Sequence, residues 1–147
     1  IAQARTHGYV ATILGRRRPI PDIDARQPNR RSLAERMAIN TVVQGSAADL
    51  IKLAMIRMLG ALRPERAIPP TADDPPVAPA PLPDDLADRR TDIRLLLQIH
   101  DDLMLEAPEE TAESVATWTR DAMASAMDLR VPLGVDVGWA ADWYSAK

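Results

Sequence analysis

The sequence predicts an α+β fold in which antiparallel hairpins pack against several α-helices. Two segments, GYVATILGRRRPI (8–20) and IRLLLQIHDDLMLEAP (93–108), alternate around short turns like paired strands. Three others, NRRSLAERMAIN (29–40), SAADLIKLAMIRMLGALR (46–63) and PEETAESVATWTRDAMASAM (108–127), are rich in helix formers. The 147 residues suffice for one domain with a sizeable core, and 46% hydrophobic against 27% charged residues is a globular balance. There is no cysteine, which excludes a disulfide framework and a Cys-based zinc site. No apolar run approaches the roughly 18 residues of a membrane span. No secretion signal opens the chain. It starts at Ile1, directly in what reads as a helix end, so a piece of a longer protein is expected.

In chain order, Gly15 supplies the turn of the first hairpin, and PDIDARQP (21–28) is turn-rich. Asn29, after Pro28, is positioned to cap the helix 29–40. Ser46 and Asp49 have capping-box spacing at the start of the helix 46–63. Leu50, Leu53, Ile56 or Arg57, and Met58 keep helical spacing there, which predicts a well-buried helix. Eight of the 13 prolines fall between Pro64 and Pro83. Proline removes backbone donors and fixes φ, so 64–92 is expected to be an exposed, disordered insertion. Order resumes at Ile93. Ile93, Leu95, Leu97 and Ile99 are expected on one strand face, and Arg94, Leu96, Gln98 and His100 on the other. In the helix 108–127, Val115, Trp118, Ala122 and Met123 form the buried stripe, and Glu109, Glu110 and Glu113 favour its N-terminal end. VPLGVDVGWA (131–140) alternates as a final strand, and the tail docks through Trp143.

The formal charge of −3 hides an asymmetry: residues 1–66 balance to +7 and residues 67–147 to −10. A basic half beside an acidic half points to a polyanion on one surface and cations on another, although uneven solvated charge explains it as readily.

Three constellations could carry chemistry. Arg36, Asn40 and Gln44 are spaced i, i+4, i+8 and fall within about 80° on a continuous helix. Arginine pairs with phosphate, and the amides can bond bases or sugars. An ordinary solvated helix face is the competing reading. Gln98 and His100 precede two adjacent acids, Asp101 and Asp102, at a hairpin turn. Such a tip exposes carboxylates to hard cations and suits phosphoryl transfer; a plain acidic turn is the alternative. Arg16, Arg17 and Arg18 beside Gly15 either meet phosphates or decorate a solvated turn. There is no P-loop and no nucleophile elbow. With His7 and His100 the only histidines, a His-Asp phosphohydrolase lacks its ligand set.

Four ordered blocks, GYVATILGRRRPIPDI, AERMAINTVVQGSAADLIKLAMI, LLLQIHDDLMLEAP and VPLGVDVGWAADWYSAK, resemble the C-terminal part of family A DNA polymerases. QIHDDLMLE is similar to that family's palm motif C, usually Q-V-H-D-E, with Asp102 where glutamate is usual. The resemblance implies template-directed addition of deoxynucleotides to a primer 3′ end with Mg2+. It makes Asp101 a metal ligand and Asp101 and Asp102 catalytic. Arg36, Asn40, Gln44, Gln98 and His100 become DNA-binding residues along the minor groove and primer terminus. The partners implied are primer–template DNA and deoxynucleoside triphosphates, with no membrane, in a monomeric, cytoplasmic parent enzyme. Motif A, with the second metal-binding aspartate, and the fingers helix of motif B would lie upstream of Ile1, so the 147 residues alone are expected to be inactive. The division implied is 1–63 for the end of the fingers and palm helices, 64–92 for the insertion, and 93–147 for the palm hairpin, helix and last strand. A DNA-binding remnant without catalysis and a purely structural α+β domain are the alternatives.

Overall fold

The computed structural model describes residues 1–66 and 77–146. Two units divide the chain, Ile1–Leu50 and Ile51–Lys147.

In the first unit, helix α1 (Ala2–His7) stops at Gly8, whose φ of 75° places it in the left-handed region glycine tolerates. Strands β1 (Tyr9–Ala11) and β2 (Arg17–Pro19) form the expected antiparallel hairpin, and Gly15, at φ 82°, turns its loop. Helix α2 (Pro28–Leu62) begins with Pro28, whose missing N–H costs nothing in a first turn. The Arg31 amide bonds the Gln27 carbonyl, so Asn29 lies inside the helix and is not its cap. Ala4, Val10, Ile20, Ile23, Ala34 and Ala38 make the core of this unit.

The sequence predicts two helices between 29 and 63; the structure has one. Thr41, Val42, Val43 and Gly45 are poor helix formers, together costing about 2–3 kcal/mol relative to alanine. Tertiary contacts override that preference. Ser46 caps nothing: its hydroxyl donates to the Val42 carbonyl at 2.6 Å and accepts the Ile13 amide at 2.9 Å.

The second unit takes its core from Ile51, Ala54, Met58 and Leu62 of α2 together with Ala80, Leu86, Ile93, Val115, Trp118, Ala122 and Met123. The buried stripe of α2 therefore keeps Met58 but otherwise runs one position beyond the expected Leu50 and Leu53. Val115, Trp118, Ala122 and Met123 are buried as expected on helix α4 (Ala112–Ala124), which follows a turn of 3-10 helix, Glu109–Thr111.

Residues 77–92 are mostly exposed, as expected, but they are not without structure. They carry a short helix, α3 (Asp84–Ala87), and send the fully buried Ala80 and Leu86 into the core. Proline excluded long regular elements but not packing, because side chains and carbonyls remain available. The rest of that expectation, on 67–76, lies outside the described residues.

Strands β3 (Arg94–Ile99) and β4 (Asp102–Glu106) form a second antiparallel hairpin. Its register shifts between Leu95 and Leu97, leaving Leu96 as the extra residue. Leu95 faces Leu105 while Leu97 faces Met104, so Leu95 and Leu97 lie on opposite sides rather than on one face. Among the described residues, the expected palm sheet is thus two separate two-stranded sheets. Residues 131–140 form no strand. Their alternation marks half-buried positions, Val135 among them, but a ladder also needs an edge to pair with. Trp143, through which the tail is expected to dock, is 53% exposed.

Candidate functional site

The predicted residues divide between the two units, and each group is built locally.

In the first unit, Arg36, Asn40 and Gln44 share one face of α2, as their spacing requires, because the helix continues through Gly45. They line a cleft of about 750 Å3 whose other wall is the loop and second strand of the first hairpin, with Arg16, Arg17 and Arg18. The stripe and the arginine run, separate in the sequence, become one surface. Its lining carries four arginines and no acid.

The three hairpin arginines differ in their anchoring. Arg16 donates from Nε and Nη2 to Asp49 Oδ1 at 3.0 and 2.9 Å, and from Nη2 to the Gly45 carbonyl at 3.1 Å. Arg18 donates to the Thr41 hydroxyl at 3.1 Å. The Arg17 guanidinium lies 4.8 Å from the centre of the Tyr9 ring, within cation–π range. Arg36 and the exposed part of Arg16 leave guanidinium surface facing the cleft.

Asp49 was missed as a functional-site residue, having been assigned to a helix cap. It is the only charged residue between Arg36 and Lys52, and it is buried. An isolated acid in an apolar helix, close in sequence to a basic hairpin, was the available signal. Gly45 was also missed. A Cβ there would stand 2.6 Å from Thr12 Cγ2, so glycine is what lets the hairpin approach the helix. Gly45→Ala is expected to lower stability by a net ~1 kcal/mol, overpacking outweighing the gain in helix propensity. Urea denaturation checks this. Adding Thr12→Ser, which removes Cγ2 but keeps the hydroxyl that accepts the Arg16 amide, should restore most of the loss. A raised midpoint in Gly45→Ala alone would contradict the close approach.

In the second unit, the hairpin tip is the two-residue connection His100-Asp101, with Asp102 already paired with Ile99 as the first residue of β4. His100 therefore does not continue the strand face of Gln98. Its φ of 56° makes it the one non-glycine residue with positive φ among those described. Histidine is among the few residue types enriched there, and such conformations cluster at functional sites. Gln98 Nε2 donates to the His100 carbonyl at 2.7 Å and so holds the turn. His100, Asp101 and Asp102 are all exposed. In water, two adjacent carboxylates repel by only about 1 kcal/mol at 4 Å, so the tip tolerates the pair.

Hard carboxylate oxygens at an exposed tip fit a divalent cation such as Mg2+, which keeps several waters and needs few protein ligands. Among the described residues no group of three or more potential ligands gathers.

The described residues thus hold an arginine-lined cleft in one unit and an acid-tipped hairpin in the other. The comparisons give the chain its family. The profile of DNA polymerase family A matches residues 1–145, and the chain belongs to that family. DNA polymerase I, thermostable, of Thermus thermophilus is 44% identical over 147 residues, all of this chain and 14% of its own length. DNA polymerase I of Bacillus caldotenax is also 44% identical, with the same coverage. The chain thus spans about 14% of the length of these relatives. Among solved structures, the POL domain of Pol1 from M. smegmatis, in complex with DNA primer-template and dNTP, is 36% identical. It superposes with a TM-score of 0.75 over 99% of this chain and 21% of that one.

Proposed function

We propose that this chain is the part of a longer family A DNA polymerase that grips the primer–template duplex and presents an acid to the primer 3′ end. The observation that carries the reading is the acid-tipped hairpin, Gln98 to Asp102, within a family match that runs over residues 1–145. In this reading the residues 1–63 are the end of the fingers and the palm helices, and 93–147 the palm hairpin region of a monomeric, cytoplasmic enzyme. No helix among the described residues is long and apolar enough to cross a membrane.

Each group has a chemical task. Arg16, Arg17, Arg18 and Arg36 neutralise backbone phosphates, which positions a duplex without reading its sequence. Asn40 and Gln44 meet minor-groove acceptors, which are similar for all base pairs, and so test pair geometry. Gln98 fixes the turn, and His100 sits at the primer terminus. Asp101 is the carboxylate that would hold Mg2+. Asp102, one methylene shorter than the usual glutamate, reaches less far from the strand and depends more on the hairpin's placement. Bound there with a second ion, Mg2+ would neutralise the charge that develops on the transferring phosphoryl group. The second metal-binding aspartate is not among these residues, so the 147-residue chain alone is inactive.

Arg36→Ala in the full-length protein tests the duplex half of the reading. Primer–template affinity should fall by about 1 kcal/mol and the salt slope of binding by about one unit, uniformly across sequences. If affinity, salt slope and extension from mispairs are all unchanged, Arg36 is a solvated helix residue.

A further inference from the structure

We infer that Arg63 is a positioning residue for the acid-tipped hairpin, acting through the backbone that leads into β3; this rests on the function proposed above. Helix α2 ends at Leu62 because Pro64 disfavours a helical residue before it. The Arg63 side chain then gathers backbone carbonyls. Nη1 donates to those of Leu62 at 2.8 Å and Arg90 at 2.6 Å. Nη2 donates to those of Thr91 at 2.9 Å and Ile93 at 3.2 Å. One guanidinium joins the end of the central helix to three of the four carbonyls before β3. A planar fork can do this; the single ammonium of lysine cannot span them all.

The place of that joint gives it consequence. The neighbouring Ile93 side chain is fully buried, and Arg94 then opens β3 with a 3.4 Å ion pair to Glu106 at the foot of β4. Among the described residues β3 and β4 pair only with each other, so no further strand steadies the hairpin along its length. Leu103 and Leu105 of β4 rest against the core, while β3 is fastened where it begins, and that is where Arg63 holds the backbone. The bulge at Leu96 lies between this joint and the tip. The connector is held at its other end as well: Arg57 donates to the Ala78 and Ser125 carbonyls, and Trp118 Nε1 to that of Pro81 at 2.8 Å. The proline-rich stretch therefore delivers β3 as a fastened strap.

The test uses the full-length protein with Arg63→Gln and Arg63→Lys. Amide exchange over 94–99 should accelerate by about tenfold or more in Arg63→Gln, with α4 protected as in the wild type. Single-turnover primer extension in Mg2+ should fall by about tenfold while primer–template affinity stays within about twofold. Arg63→Lys should lie between the two. Equal acceleration of exchange in 94–99 and α4, or parallel loss of binding and extension, would mean a merely structural role and overturn the inference. If Arg63→Gln does not fold, Arg63→Lys decides: wild-type exchange and wild-type extension together overturn the inference. Absence of extension by the wild-type protein would defeat the proposed function instead, and the exchange comparison would still judge the clamp.

Discussion

Asp101→Ala in the full-length protein is expected to lower single-turnover nucleotide incorporation by about a thousandfold, roughly 4 kcal/mol of barrier. Asp101 sits at the exposed two-residue tip, and no third acid stands close enough to take its place among the described residues. Phosphoryl transfer is mostly positioning and charge neutralisation, so losing the carboxylate proposed to hold the cation should remove the central contribution. Duplex affinity should change little, because the phosphate contacts are proposed to come from the arginine-lined cleft of the first unit. Asp102→Ala should cost less, since the proposed metal role rests on Asp101. A loss of under about tenfold for Asp101→Ala, roughly 1.4 kcal/mol, would remove the metal role from this residue.

Trp118→Ala carries the largest expected effect on stability, about 3–5 kcal/mol, against a typical domain total of only 5–15 kcal/mol. Trp118 is 3% exposed, lies in the core of the second unit, and donates its indole N–H to the Pro81 carbonyl at 2.8 Å. Truncation empties the core and releases the strap together. Trp118→Phe separates the two effects: the ring volume largely remains, while the Pro81 carbonyl loses its donor, at about 1–3 kcal/mol if it stays buried. Urea denaturation of both variants measures the difference. A cost below about 1 kcal/mol for Trp118→Ala would show that the strap and α4 do not share a core.

Much of this was legible in the residues, for identifiable reasons. Gly15 and the alternation around it predicted the first hairpin, because a turn with positive φ leaves few residue choices. Val115, Trp118, Ala122 and Met123 were found by period alone, since α4 buries one clean stripe. The stripe Arg36, Asn40 and Gln44 was also visible by period. Its union with the arginine run was not, because the contacts that bring the hairpin to the helix, Arg16 to Asp49 and Thr12 to Gly45, span about 30 residues. The same tertiary contacts carried α2 through a stretch whose local propensity argues for a break. The bulge at Leu96 escaped a strict period of two, and with it the true facing of Leu97. The strap was misread because proline content reports on regular hydrogen bonding, whereas Ala80 and Leu86 are held by burial. Neither spacing nor composition separates an acidic turn from a catalytic tip; the ordered blocks of family resemblance are what favour the catalytic reading.

Template-directed primer extension in Mg2+, by the full-length protein and by residues 1–147 in parallel, tests the central claim most directly. The full-length protein should extend a primer by the nucleotides its template directs, while the 147-residue chain should not extend at all. Salt-dependent duplex binding by the full-length protein without Mg2+-dependent extension would contradict the claim and leave a DNA-binding remnant with vestigial acids.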